Sequence, residues 1–375
     1  MRLLHRASPW RDLFATDSLP DASQWPALLA PLREALAELG PVPSLAETHA
    51  WQGRLVEALD RLDLPAGRIS QLISDHNDWL YRRAIHLSLE EMVGLGWGPP
   101  PVPYCVLTLG SGARHESLLA PDQDNAMIVA DYPDGQHTAI DGYFQALGER
   151  FTARLDEAGI PLCNGHVMAR WPMWRKRLSE WREQLAIWTA ERRVKRVQQA
   201  NILLDFHPVH GDAALAESLR DTVAGCLPRA GLFLDEMAAL LDELPVALDR
   251  FGRLVGGGEG APHERALDLK HQGLLPLVGA VRLLAVRHAV RPPDTRLRLA
   301  ELVSRGALDG REAQGLGAAL ERLQERLLTA QRHTLVAGGT PDGWIDLARL
   351  DEDARLLLRH DLLAIRRLMR RLRHP

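Results

Sequence analysis

Apolar residues recur every three or four positions through most of this chain, and the exception lies between residues 101 and 215. That recurrence is the signature of helices with one buried face. In residues 1–100, "WPALLAPLREALAELG", "THAWQGRLVEALDRLDL" and the longer "AGRISQLISDHNDWLYRRAIHLSLEEMVGLGWG" carry it. Gly and Pro in "GWGPPPVP" end the last helix and predict a boundary there. From residue 216 onward "AALAESLRDTVAGCLP", "AGLFLDEMAALLDELPVAL", "ALDLKHQGLLPLVGAVRLLAVRHAV", "GREAQGLGAALERLQERLLTAQRHTLVA" and "DEDARLLLRHDLLAIRRLMRRLRH" predict a helical bundle. "LVGGGEGAPHER" reads as a flexible connection.

The middle stretch reads differently. "YCVLTLG" and "NAMIVAD" are short, apolar, β-prone runs, and "ANILLDFHPVHGD" is a third, stopped by Pro208 and Gly211. Between them "GQHTAIDGYFQALGERFTARLDEAGI" is a helix. Strand, strand, helix, strand predicts a small mixed sheet with helices packed on it. The fold class is therefore α+β. A helical region over 1–100 precedes a sheet-bearing domain over 101–215, and a helical domain follows over 216–375.

Composition narrows the function classes. The chain has 375 residues, long enough for two or three domains. Net charge is -4, from 45 basic and 49 acidic residues, which argues against a dedicated nucleic-acid binder. Cys105, Cys163 and Cys226 lack CxxC spacing, so neither a zinc site nor a disulfide framework is expected and a reducing cytoplasm fits. "MRLLHRASPWRDLFATDS" has no continuous apolar core of a signal peptide. No window reaches 18 uncharged apolar residues, so no membrane span is expected. Trp171, Trp174, Trp181 and Trp188 read as the packing face of one amphipathic helix.

The chemistry concentrates in "GSGARHESLLAPDQDNAMI", Gly110 to Ile128. In extended chain, residues two apart share a face, so Asp122 and Asp124 project together. Two adjacent carboxylates repel unless a cation lies between them, and Mg²⁺ or Mn²⁺ suits oxygen ligands. Gly110 and Gly112 allow close approach of backbone to a ligand, and N–H groups in such a turn hold anions. Ser111 adds a hydroxyl. A phosphate on the turn beside metals on the aspartates makes a nucleoside triphosphate site. Asp205, inside "NILLDFHPV", is the candidate third carboxylate, expected to point away from the core that Leu204 and Phe206 enter. Arg114 and Glu116 either brace the turn by pairing or place Arg114 on phosphate, while Gln123 and Asn125 face the other way and read as packing or hydrogen-bonding residues.

These residues resemble the nucleotidyltransferase domain of the DNA polymerase β superfamily. They are more closely similar to bacterial nucleotidyltransferases related to the N-terminal domain of protein-PII uridylyltransferase. The match runs through Gly110, Ser111, Arg114, Glu116, Asp122, Gln123, Asp124, Asn125 and Ala126. Where many members have glycines around the arginine, this chain has Ala113 and His115. "LDLKHQGLLPLVGAVRLLAVRHAV" resembles the family's C-terminal substrate-binding domain. The resemblance implies Mg²⁺ or Mn²⁺ on Asp122, Asp124 and Asp205, with Asp205 also activating the acceptor hydroxyl. It implies triphosphate contacts from Gly110, Ser111, Arg114, Lys270 and Arg282. It further implies UTP or ATP as donor and a hydroxyl acceptor, on a PII-like regulator or another molecule. A nucleotide-binding regulator without turnover is the alternative outside the enzymes.

Other motifs carry less. "SDHNDW" reads as a helix face, "GGGEG" lacks the Lys-Ser/Thr of a phosphate-binding loop, and His207 and His210 read as packing histidines. The basic "RRLMRRLRH" is a solvated helix end favoured by the helix dipole.

Overall fold

The computed structural model describes Phe14 and residues 27–39, 43–190 and 194–373. The opening stretch examined for a signal peptide lies outside the described residues except at Phe14. The chain forms two compact units, Met1–Trp181 with Asp205–Leu219, and Arg182–Leu204 with Arg220–Pro375.

The first unit begins with helices α1 (Ala30–Ala37), α2 (Leu45–Ala50), α3 (Gln52–Asp60) and α4 (Ala66–Gly94). Ser44 fixes the start of α2. Its hydroxyl accepts the Glu47 N–H while Glu47 accepts the Ser44 N–H, so two orphan donors are satisfied reciprocally. Strand β1 (Tyr104–Leu109) follows, then the one-turn helix α5 (Gly110–Ala113), strand β2 (Asn125–Val129), helix α6 (His137–Glu157) and strand β3 (Arg175–Arg177). Of helix α7 (Leu178–Ala190) only the start belongs to this unit; α8 (Val194–Leu203) belongs to the second, and strand β4 (Phe206–Gly211) and the first half of helix α9 (Ala213–Cys226) to the first.

The sheet order is β3-β2-β1-β4. β1 runs antiparallel to β2 and β4, and β2 parallel to β3. Every residue of β1, Thr108 included, is buried between β2 and β4. α4 packs on α6 and β4, and Asn125 Nδ2 donates to the Tyr81 hydroxyl at 3.3 Å. The boundary expected after residue 100 therefore falls inside one compact unit, with the N-terminal helices part of the sheet's own core.

The second unit is mainly helical, with α10 (Gly231–Leu240), α11 (Leu275–Arg287), α12 (Thr295–Ser304), α13 (Gly310–Val336) and α14 (Glu352–Arg373). α11 is central, buried along most of its length against α12 and α14. Asp294 and Asp309 cap α12 and α13 through side-chain bonds to backbone N–H groups. A small antiparallel pair, β5 (Ala266–Asp268) and β6 (Trp344–Asp346), and a π-helical turn (Lys270–Leu274) precede or flank these helices.

Several expectations are corrected here. "ANILL" is helical, because Ala200, Leu203 and Leu204 are buried at helical spacing, and the strand begins only at Phe206. β3, β5 and β6 are three residues each, too short to show alternation. The tryptophans do not share one helix. Trp181 and Trp188 are buried on α7, Trp174 is buried ahead of β3, and Trp171 is exposed.

Candidate active site

At the end of β1 the chain turns at Gly110, with φ 60°. The left-handed backbone favours glycine there, and a Cβ would also lie a tight 3.3 Å from Asp124 Oδ2. Backbone bonds join the parts. Leu109 N–H donates to the Asp124 carbonyl at 3.0 Å, and Gly110 N–H to the Asp205 carbonyl at 3.1 Å. The Gly110 N–H is therefore engaged, and any anion nest starts at Ser111.

Asp122 and Asp124 lie just ahead of β2 in extended chain, one exposed and one half-buried. The alternation expected of them holds. Gln123 is buried between them and donates through Nε2 to the Thr152 and Ile160 carbonyls at 2.9 and 2.8 Å. Asn125 is also buried, and its Oδ1 accepts from Ala169 N–H at 2.8 Å. These bonds anchor the odd-numbered side chains inward and leave the aspartates facing the turn.

The third member of this group is Cys163. Ligand atoms of Asp122, Asp124 and Cys163 all lie within 4.8 Å of one another. The bridge pairing Gln123 with Leu162 in parallel sets Cys163 beside Asp124. Burial, helped by the nearby Asp124 charge and a hydrogen bond to it, pushes the thiol up to about 12. With no cation bound, the protonated thiol donates to Asp124. The wide separation of the cysteines in sequence concealed this neighbour.

Asp205 is not one of those three, although its carbonyl holds the Gly110 N–H. It is fully buried, as are its neighbours Leu204 and Phe206. Its Oδ2 accepts from Arg114 Nη1 at 2.7 Å, and Arg114 Nε donates to Glu116 Oε2 at 2.8 Å. Burial opposes the guanidinium's charge, but Asp205 and Glu116 more than offset it and its pKa rises. The bracing role expected of Glu116 is present, and Arg114 is buried inside this triad.

A further carboxylate, Asp78 on α4, lines the same small cavity of about 40 Å³ with Asn77, Tyr81, Thr108, Ser111, Asp122 and Asp124. Asp78 is buried, and its Oδ1 has no hydrogen-bond partner among the described residues. Burial pushes its carboxyl up to about 7; Asp75 adds to the rise, while His115, Arg82 and a bond from Thr108 oppose it. "SDHNDW" is a buried face, and the signal for it was a polar pair, Asn77 and Asp78, inside a helix flanked by Trp79, Leu80 and Tyr81. His115 adopts φ 53° in the turn and pairs with Asp75 at 3.2 Å. His207 packs on the His115 ring, and His210 bonds the Tyr104 hydroxyl at 3.2 Å.

Lys270 and Arg282 belong to the second unit. Lys270 is exposed at the start of the π-helical turn, its N–H donating to the Gly343 carbonyl at 3.2 Å. Arg282, on α11, donates through Nη1 to Asn201 Oδ1 at 2.9 Å.

Comparison with known families gives two matches. Residues 51–195 match the family described as "Putative nucleotidyltransferase DUF294". Residues 231–375 match the one described as "Putative nucleotidyltransferase substrate binding domain". Among curated proteins, none matches the chain. Among the described residues, no helix is long and apolar enough to cross a membrane.

Proposed function

The chain belongs to the DUF294 nucleotidyltransferase family, and from that premise we propose that it moves a nucleoside monophosphate from a triphosphate to an acceptor hydroxyl. Pyrophosphate is the leaving group. The observation that carries this reading is the convergence of Asp122, Asp124 and the Gly110 turn on one cavity. Two hard carboxylates side by side fit Mg²⁺ or Mn²⁺, with Cys163 orienting Asp124 from behind. A divalent cation held there supplies charge neutralisation at the reacting phosphate.

The chain's own groups do the rest. Ser111 offers its hydroxyl to the phosphates. Asp78 takes the acceptor's hydroxyl proton as that oxygen bonds to phosphorus. Its elevated pKa suits a general base working near neutral pH. Asp205 holds Arg114 and the turn in place from within the core. Lys270 and Arg282 remain phosphate-binding candidates on the family resemblance alone. The cavity of about 40 Å³ has room for an ion or a phosphate group. UTP as donor and a PII-like protein hydroxyl as acceptor follow from the resemblance, with adenylyl transfer to a small molecule or protein beside them.

One observation favours a second reading. Asp205 is bound up with Arg114 outside the metal group, and two carboxylates suffice for nucleotide binding without turnover. Pyrophosphate release from each of the four NTPs, with Mg²⁺ or Mn²⁺ and cell lysate as acceptor source, separates the two. The transferase releases pyrophosphate from one NTP, and Asp124→Asn abolishes it. Tight metal-dependent NTP binding with no release establishes the regulator instead.

A further inference from the structure

A second cavity, of about 760 Å³, opens within the helical second unit. That volume is typical of a small-molecule site. One wall is a single face of α13, on which Arg322, Arg326, Thr329 and His333 succeed one another at helical spacing. Trp344 and Ile345 of β6 and Leu357 of α14 form the apolar side.

The two buried-side arginines of α13 differ in what they hold. Arg322 is committed: its Nε and Nη2 clasp the buried Asp361 at 2.8 and 2.5 Å. Arg326, one turn further on, is not. Its Nη2 donates to the Ala354 carbonyl at 3.1 Å, its Nε is buried without a hydrogen-bond partner, and it makes no ion pair among the described residues. Burial lowers its pKa, which records the cost of keeping that charge out of water. An anion entering the cavity would relieve that cost with charge-assisted, bidentate geometry. Arg349, which pairs with Asp346 at 3.8 Å and contacts His333 at 3.2 Å, and His263 add N–H donors around the same space.

The remaining lining describes the rest of a ligand. The half-buried Trp344 offers a flat face for a ring. Glu325 and Asp342 present carboxylates that accept from hydroxyl or amino groups. An anionic head, a flat ring and hydroxyl or amino substituents together describe a nucleoside phosphate.

We infer that this cavity binds a small phosphorylated, ring-bearing molecule of the nucleoside monophosphate class, its anion on Arg326 and its ring on Trp344. The inference is independent of the phosphate chemistry proposed for the first unit.

Isothermal titration of the full chain with AMP, UMP, adenosine and inorganic phosphate tests it. EDTA, and a parallel series in Asp124→Asn, silence metal-dependent binding elsewhere. The expected result is binding of AMP or UMP at least about tenfold tighter than adenosine or inorganic phosphate, since both contacts are needed. Arg326→Gln and Trp344→Ala each weaken it at least about tenfold, with Arg326→Lys intermediate because it keeps charge but loses the planar fork. Comparison of unfolding midpoints confirms that the variants are folded. Absence of binding by both monophosphates overturns the inference. So does affinity unchanged by Arg326→Gln and Trp344→Ala, or phosphate binding as tight as AMP.

Discussion

Asp78 is the residue whose chemistry is most exposed to pH. Its carboxyl titrates near 7 in the folded chain against an ordinary 3.8. Below about pH 4 it is neutral folded and unfolded alike. Between about 4 and 7 only the unfolded state ionises, so stability falls as pH rises through that window and levels off above it. In metal-free protein, Asp78→Asn removes this loss. Its unfolding midpoint, measured by thermal melts in EDTA from pH 4 to 8, matches the parent at pH 4 and exceeds it increasingly up to pH 7. As a proton acceptor, the same carboxylate makes turnover fall on the acid side. Asp78→Asn lowers kcat by about 10²- to 10⁴-fold and flattens that limb in a pH–rate profile. If kcat and its pH profile are unchanged in the variant, Asp78 is not the base. The sequence disclosed Asp122, Asp124 and the glycine turn because local spacing alone brings them together. It did not disclose Asp78 or Cys163, which reach the site through tertiary packing of α4 and through a bridge beside Gln123. It misjudged the surroundings of Asp205, because an aspartate in an apolar run has two explanations, an open site or a buried ion pair, and here the ion pair with Arg114 is present.

Among the elements, legibility followed length. α4, α6, α13 and α14 span five or more turns each, and their periodicity was plain in the sequence. The three-residue strands had no period to read. The β1–β4 pairing depends on Gly211, which sits at φ 93° opposite Cys105 beside an irregular register. A Cβ there would lie 2.2 Å from the Tyr104 carbonyl oxygen, a backbone atom that cannot step aside without breaking the ladder. Gly211→Ala therefore costs about 2–4 kcal/mol, combining left-handed strain with the clash. Gly225, on α9 with nothing within 4 Å of its would-be Cβ, behaves oppositely. Gly225→Ala gains about 0.5–1 kcal/mol from helix propensity. Chemical denaturation of the pair checks both signs, and equal effects would contradict the reading of β4.

At the scale of the whole molecule, composition showed no excess of positive charge, but only the glycine–aspartate constellation pointed to a reaction. Two family domains over residues 51–195 and 231–375 agree with it. Base and acceptor stayed illegible because specificity comes from contacts distributed over a folded surface, not from a local motif. The proposed reaction requires metal and triphosphate to meet at the first unit's cavity. The direct test is an anomalous-difference map, at a wavelength where Mn²⁺ scatters anomalously, from crystals grown with Mn²⁺ and a non-hydrolysable NTP analogue. The expected result is a manganese peak against the Asp122 and Asp124 carboxylates, with the triphosphate beside Ser111. Manganese and nucleotide bound with no contact to either aspartate would contradict it.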